Sequence, residues 1–236
     1  MGRIFEKRKH KMFARYDKMA KAFTKVGREI AIAVKAGGPD PEYNPRLRTA
    51  ILNAKGLNMP KDRIDNAIKR ASSKDEGNYE ETVYEGYGPY GVAIVVETAT
   101  DNPTRTVANI RMYFNRGDGT LGKTGSLDFM FQRKGVFRIA KDGKFSLEDL
   151  ELELIDFGLE SLESDDEEII IYTAFEDFGK MSKALEDKGI EIKKSAAERI
   201  PTTTVELSEE QTDEILQLID KFEEDDDVQA VYHNLK

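Results

Sequence analysis

The spacing of hydrophobic positions changes once along this chain. From Phe13 the apolar residues are Phe13, Tyr16, Met19, Ala20, Phe23, Val26, Ile30 and Val34, separated by threes and fours as one face of a helix requires. Lys11, Arg15, Lys18, Lys21, Lys25 and Arg28 fall on the opposite side. "AGGPDP" stops this helix at Gly37, Gly38 and Pro39. Asn44-Pro45 then supplies an N-cap and a proline at the first helical position for "PRLRTAILNAK", which ends at Gly56. Pro60 opens a third helix, "PKDRIDNAIKRA", with Ile64, Ala67, Ile68 and Ala71 inward. Asp62 in its first turn and Lys69-Arg70 in its last complement the helix dipole. The polar, aperiodic "SSKDEGNYEE" (72–81) reads as a linker, so residues 1–76 are expected to form a three-helix domain.

Beyond the linker, strand-like runs alternate with helical ones. "GVAIVVETAT" (91–100) predicts a buried strand, and Asn102-Pro103 starts a helix with Val107, Ile110 and Phe114 on one face. "SLDFMFQ" alternates as a strand with Leu127, Phe129 and Phe131 on one side, followed by a strand at "GVFRIAK". Ser146 caps "LEDLELELIDF", which stops at Gly158. "EEIIIYTAF" is a strand, "EDFGKMSKALEDK" a helix ending at Gly189, and "IEIKKSAAERI" another strand. After Pro201 come a strand at "TTTVEL", a helix "EEQTDEILQLIDKF" with a Ser208–Gln211 capping box, and a last strand at "DVQAVYHN". Strand–helix–strand units recurring four times predict α+β layers with helices on one face of a sheet.

One stretch, "RGDGTLGKTGS" (116–126), spells G-x-x-x-x-G-K-T, the signature of a phosphate-cradling loop. Such a loop follows a strand and opens a helix, so that N–H groups and the dipole face the phosphates. Here a helix precedes the motif and a strand follows it. The nearest carboxylate-ended strand, "AIVVE" at Glu97, lies upstream. The stretch is expected to be a glycine-rich turn, with no nucleotide bound and no enzymatic activity.

Charge divides the chain more sharply than hydropathy does. Residues 1–74 hold 19 of the 36 Lys and Arg and 7 of the 45 Asp and Glu, a balance of +12. The remaining 17 and 38 leave −21, for a net charge of −9. A basic module joined to acidic ones implies a polyanionic partner for the first. In residues 1–35, 11 basic residues face only 3 acidic ones, too few for pairing along the helix. Cysteine is absent, which removes disulfides, thiolate metal sites and thiol nucleophiles. The two histidines, His10 and His233, are expected at the surface, and neither a metal nor a cofactor is expected. No apolar run approaches a bilayer's thickness and the N-terminus lacks a secretory h-region, so a soluble protein with no membrane partner is expected.

Four blocks carry a resemblance: "NPRLRTAILNAKGLNMPKDRIDNAIKRAS", "YEGYGPYGVAIVVETATDNPTRTVANIR", "GTLGKTGSLDFMFQRKGV" and "IPTTTVEL…LIDKFEEDDDVQAVYHN". Together they resemble the YebC/PmpR family, which includes a mitochondrial activator of cytochrome oxidase translation. The resemblance implies an α+β multidomain fold, an N-terminal three-helix domain followed by two ferredoxin-like α+β domains with the third inserted in the second. The boundaries become 1–76, 77–133 plus 201–236, and 134–200. It also singles out a loop usually written N-L-G-x-x-G-S. In this chain Thr120 replaces the Asn, Leu121, Gly122, Gly125 and Ser126 match, and Lys123 and Thr124 fill the variable places. The family's usual opening near "GHSKW" is replaced by "MGRIFEKRKHKMF", and the chain has no Trp. Because the resemblance begins in the first helix, a bacterial cytoplasmic protein without a mitochondrial presequence is expected.

The expected nucleic-acid contacts are Arg3, Lys7, Arg8, Lys9, Lys11, Arg15, Lys18, Lys21, Lys25, Arg28, Arg46, Arg48, Lys61, Arg63, Lys69 and Arg70, mostly to phosphates. A second candidate site comprises Asp101, Asn102 and Arg105 with Thr120, Leu121, Gly122, Gly125 and Ser126. Family members are named as DNA-binding transcriptional regulators, and the family also implies translation factors acting at the ribosome, notably on proline-rich nascent chains. A helix-turn-helix across "GLNM" is compatible with DNA, yet the third helix offers only Arg63, Asn66 and Lys69 as base readers. Ribosomal RNA demands shape and phosphate recognition without a base code, and basic ribosomal proteins suit the acidic domains. The sequence therefore favours the ribosome, with a DNA regulator as alternative. A third possibility is an acidic module, exposing "EEDDD" (223–227) to ribosomal proteins or transcription machinery, anchored by the basic helices.

Overall fold

In the computed structural model the chain divides into two compact units, Met1–Glu76 and Gly77–Lys236. The structure describes the backbone of residues 3–73, 78–141, 143 and 146–236, and within these the side chains from residue 19 onward.

The first unit is three helices, α1 (Arg3–Gly37), α2 (Pro45–Gly56) and α3 (Lys61–Ala71). Both shorter helices pack on α1. Val26, Ile30, Ala33 and Val34 of α1 meet Leu47, Ala50 and Ala54 of α2 and Ile64, Ala67 and Ala71 of α3, all buried. Ala20, expected inward, is exposed, and Ile68 is only partly covered. Asn44 joins the first two helices. Its Oδ1 accepts from the Leu47 N–H at 3.0 Å, while its Nδ2 donates to the carbonyls of Ala33 and Gly38 at 2.7 and 2.8 Å. One buried amide thus caps α2 and satisfies carbonyls at the end of α1.

The second unit contains two four-stranded antiparallel sheets. The first is built from β1 (Glu80–Tyr87), β2 (Ala93–Thr100), β3 (Thr120–Leu121) and β8 (Val228–His233), in spatial order β3-β1-β2-β8. Helices α4 (Pro103–Arg116) and α7 (Glu209–Glu223) cover one face, where Ile94, Val96, Ile110, Phe114, Ile215 and Phe222 form a core. Phe114 and Phe222 meet with ring centroids 4.8 Å apart. The second sheet takes β4 (Phe131–Ala140), β5 (Leu159–Ser164), β6 (Glu168–Ala174) and β7 (Ile192–Pro201), in order β5-β6-β4-β7. With α5 (Leu147–Leu154) after β4 and α6 (Phe178–Asp187) after β6, its connectivity is β-α-β-β-α-β. The first sheet departs from that order because β1 and β2 are sequential hairpin partners and α7 and β8 arrive only after the whole second sheet. Its other face, through Ala93, Val95 and Leu127, packs with Phe131 at the start of β4. An ion pair from Arg199 on β7 to Glu97 on β2, at 2.9 Å, also joins the two sheets.

Several expected elements differ. "SLDFMFQ" is strand only from Phe131, where β4 begins: residues 128–130 form a 3-10 turn, with Leu127 and Phe131 buried and Phe129 at 75% exposure. "TTTVEL" contributes a single bridge, Val205 to Leu235, just beyond the end of β8. Three strands, β1, β3 and β5, were not anticipated, and β1 begins inside the expected linker; residues 74–77 of that linker lie outside the described residues. The β4–β7 ladder starts at Phe131↔Pro201, outside the expected insert of 134–200. His233, expected at the surface, is partly buried on β8, and burial lowers its pKa below 6.5.

Candidate nucleic-acid interface

In the helical unit, six expected contact residues are exposed: Arg46 and Arg48 at the start of α2, and Lys61, Arg63, Lys69 and Arg70 on α3. The same helices turn their apolar residues inward to α1, so these six cations have no place in the core. Arg48 donates to the carbonyls of Pro41 and Glu42 at 3.0 and 3.3 Å, which fixes the turn before α2. The Arg63 guanidinium stands 5.7 Å from the centre of the Phe23 ring, within cation–π range. Asp62 and Asp65 are exposed on α3 as well.

Lys21, Lys25 and Arg28 depart from expectation. All three are half-buried and each interacts with neighbouring groups. Two helices pack on α1, so more than one stripe of it is covered, and long cationic side chains lay their stems along that contact. The side chains of Arg3, Lys7, Arg8, Lys9, Lys11, Arg15, Lys18 and His10 lie outside the described residues.

The second candidate site does not assemble as one. Asp101, Asn102 and Arg105 sit at the N-terminal end of α4, and residues 117–126 follow its C-terminal end. The helix has 14 residues, which separates the two groups by roughly 20 Å at 1.5 Å per residue.

At the N-terminal end, the Asn102 Oδ1 accepts from the Arg105 N–H at 3.1 Å and caps the helix. The Arg105 guanidinium donates to Asp101 at 2.8 Å and to Asp227 at 2.7 Å. Asp227, with a side chain 4% exposed, also accepts from Thr100 at 3.1 Å and Thr106 at 2.8 Å. Burial alone would raise its carboxyl pKa, but the hydrogen bonds from Arg105, Thr106 and Thr100 outweigh it and hold the group below the ordinary value. Asp225 accepts from Asn109 and from the Tyr113 hydroxyl, both at 3.0 Å. Burial first, and then that bond, push Tyr113 up to about 12. Two carboxylates of "EEDDD" therefore turn inward, which corrects the expectation that the whole run is a solvent-facing partner surface. Glu97 lies within β2 and is paired with Arg199, so it does not end a strand.

At the C-terminal end, one buried residue organises the loop. Glu85 on β1 is 2% exposed. Its carboxyl oxygens accept from the Gly125 N–H at 2.9 Å, the Leu127 N–H at 2.7 Å and the Ser126 hydroxyl at 3.5 Å, and its carbonyl accepts from the Gly122 N–H at 2.7 Å. Gly125 has φ +84°, a left-handed conformation that favours glycine. At Gly86, a Cβ would come within 2.5 Å of the Thr120 carbonyl, which lets β3 approach β1. Thr120, Gly122, Lys123, Thr124, Gly125 and Ser126 are left exposed and Leu121 partly so. The loop follows the carbonyl end of α4, where the dipole repels anions, and Glu85 already takes two of its N–H groups. This is not the geometry of a phosphate cradle.

Sequence reasoning overlooked Glu85, Asp225 and Asp227. The available signal for Glu85 was phase: it shares a strand face with Val83, so its carboxyl group belongs to the covered side. Among the described residues, no group of three or more His, Asp or Glu is arranged to hold a metal ion, and no helix is long and apolar enough to cross a membrane.

The chain belongs to the TACO1/YebC family: residues 3–74 match the model of the TACO1/YebC protein N-terminal domain, and residues 79–235 that of the TACO1/YebC second and third domain. It is 61% identical to a probable transcriptional regulatory protein of Cytophaga hutchinsonii, over 100% of this chain and 98% of that one. A protein of the same name in Parabacteroides distasonis is 56% identical over 100% of this chain and 97% of its own. A conserved hypothetical protein of Aquifex aeolicus, known from a crystal structure, superposes with a TM-score of 0.83 at 39% identity, covering 92% of this chain and 90% of that one.

Proposed function

We propose that this chain is a non-enzymatic cytoplasmic regulator of gene expression that acts on translation at the ribosome, gripping RNA through phosphate contacts from the helical unit. The observation that carries this reading is the set of exposed cations on α2 and α3, Arg46, Arg48, Lys61, Arg63, Lys69 and Arg70, in a segment of charge +12. Such a surface neutralises phosphates without reading bases, which suits folded RNA. In the same proposal, residues 77–133 with 201–236 form one ferredoxin-like domain and 134–200 an inserted one, whose acidic surfaces suit basic ribosomal proteins.

A second reading has its own support. The relatives are named probable transcriptional regulatory proteins. Helices α2 and α3 are joined by a short turn with Asn58 at φ +57°, and Arg63, Asn66 and Lys69 are exposed on α3, an arrangement that a major groove could accept.

Gradient sedimentation of cell extracts with and without RNase distinguishes the two. Translation predicts ribosome co-sedimentation lost on RNase treatment. With ~6 phosphates neutralised, log K for RNA should fall with log salt at a slope of about −4 to −5. Replacing Arg46, Lys61, Lys69 and Arg70 by Glu should abolish binding with the fold intact. A promoter complex that outcompetes nonspecific DNA by ~10³-fold, with transcript changes preceding ribosome pausing, would establish the DNA reading instead.

A further inference from the structure

The acidic character of the second unit is not uniform. Residues 102–141 contain Arg105, Arg111, Arg116, Lys123, Arg133, Lys134, Arg138 and Lys141 against only Asp118 and Asp128. This acid-poor stretch includes α4, the glycine loop and β4. Arg111, Arg116 and Lys123 are exposed.

Three exposed aromatic residues lie on segments flanking the loop end of the same stretch. Tyr87 is 41% exposed, Tyr90 44% and Phe129 75%. Backbone pairing places Tyr87 opposite Thr120, and the Tyr87 hydroxyl reaches the Met130 sulfur at 3.7 Å, beside Phe129. A Cβ at Gly119 would lie 2.6 Å from the Tyr87 carbonyl and 3.2 Å from the Gly88 Cα, so the loop lies directly against the turn that carries Tyr90. Tyr90 holds φ +61°, unfavourable for a residue with a side chain, and donates its hydroxyl to Glu214 at 2.6 Å. Strain of this kind persists only where the surroundings enforce it. The rings therefore stand on a framework fixed by Glu85, β1 and the tight glycine contacts.

We propose that Phe129 and Tyr87, with the exposed Lys123 of the same loop segment, form a stacking platform for unpaired nucleobases of single-stranded RNA. This deepens the function proposed above and rests on RNA being the partner. The adjoining loop residues Thr120, Lys123, Thr124 and Ser126 are exposed and polar, so the rings border a hydrophilic surface rather than an extended apolar patch of the kind that docks a protein. Ring faces with a cation of the same loop segment suit bases, each of which has a π-face, and a phosphate backbone. The two units then divide the work: α2 and α3 hold phosphates of folded RNA, and the loop end takes splayed bases.

The test compares a non-self-complementary 12-nucleotide RNA strand with an RNA duplex of equal length, using the full chain. Phe129→Ala and Phe129→Leu should each weaken single-strand binding by roughly 5- to 100-fold, as one lost stacked base implies. Phe129→Trp should restore it, and duplex binding and the salt slope should hold. Phe129 is largely exposed, so thermal unfolding should not change among these variants. Equal binding by Phe129→Leu, or a parallel loss for strand and duplex, overturns the stacking platform. Phe129-dependent capture of a protein that survives RNase overturns it in favour of a protein partner. If the unaltered chain binds neither RNA, the ribosomal reading falls as well; if it binds both and Phe129→Ala changes nothing, only the platform falls.

Discussion

At the N-terminal end of α4, Arg105, Asp101, Thr100, Thr106 and Asp227 bond to one another, whereas at its C-terminal end Glu85 alone holds the backbone of Gly122, Gly125 and Leu127. Both ends are rich in small polar residues. In the first, side chains satisfy side chains, even where Asp101 and Arg105 stay partly exposed. In the second, a buried acceptor satisfies the main chain, so Thr120, Lys123, Thr124 and Ser126 remain exposed. Residue type alone does not identify a recognition site; which groups are already satisfied does.

The largest expected effect breaks the N-terminal end. Asp227→Ala removes the acceptor shared by Arg105, Thr100 and Thr106 and should cost about 2–3 kcal/mol, the scale for hydrogen bonds to a charged group. The half-exposed Arg105 can rehydrate, which keeps the loss below that of a fully buried pair. Urea unfolding with an unchanged slope would measure it, and a loss under 0.5 kcal/mol, roughly the level of a neutral surface change, would deny the network any role in stability. The pH dependence has a definite sign. The folded pKa of Asp227 lies below its ordinary value, so its contribution is present above about pH 4 and is lost as pH falls through the folded value. Asp227→Asn should lack that component.

Next, Glu85→Gln replaces one acceptor oxygen by a donor that faces the N–H of Gly125 or Leu127. A loss of about 1–3 kcal/mol is expected, with faster hydrogen exchange at those two amides and little change around Asn102. Uniform acceleration at both ends of α4 would show that the ends are not independent. Gly125→Ala should cost about 1–2 kcal/mol through its left-handed backbone alone, since its Cβ would meet Asp128 at an ordinary 3.6 Å. The smallest effect is Lys123→Ala, which should leave stability within about 0.5 kcal/mol. Calorimetry with magnesium and ATP should detect no binding by either protein; binding lost in the variant would restore the phosphate-loop reading.

Much of the fold was legible where a signal is local. Asn44, Asn102, Ser146 and Ser208 each cap the helix assigned to them, and Ser208 with Gln211 forms the full reciprocal box. The six exposed cations of α2 and α3 followed from periodicity. What escaped depended on distant partners. β1 opens with Glu80, Glu81 and Thr82, which resemble linker until β2 lies beside them. Leu127, Phe129 and Phe131 alternate like a strand, but the intervening 3-10 turn sends Phe129 outward. Asp227 looked like one of five solvated acids because Arg105, its ion-pair partner, lies 122 residues away.

The route of the chain through its two sheets has a kinetic consequence. Pairing β2 with β8 closes a span of about 130 residues, whereas every strand of the second sheet falls within 131–201. Once β4 and β7 zip together, residues 131 and 201 become neighbours and the effective span for β2 and β8 shrinks to about 60 residues. Halving a flexible span lowers its closure entropy cost by about 0.6 kcal/mol, and the preformed sheet also presents Phe131 and Arg199 as ready surfaces for β2. The later segment should therefore fold first and act as the clasp on which the earlier sheet closes. Destabilising β4–β7 pairing should slow formation of the β2–β8 ladder, although none of its residues has changed.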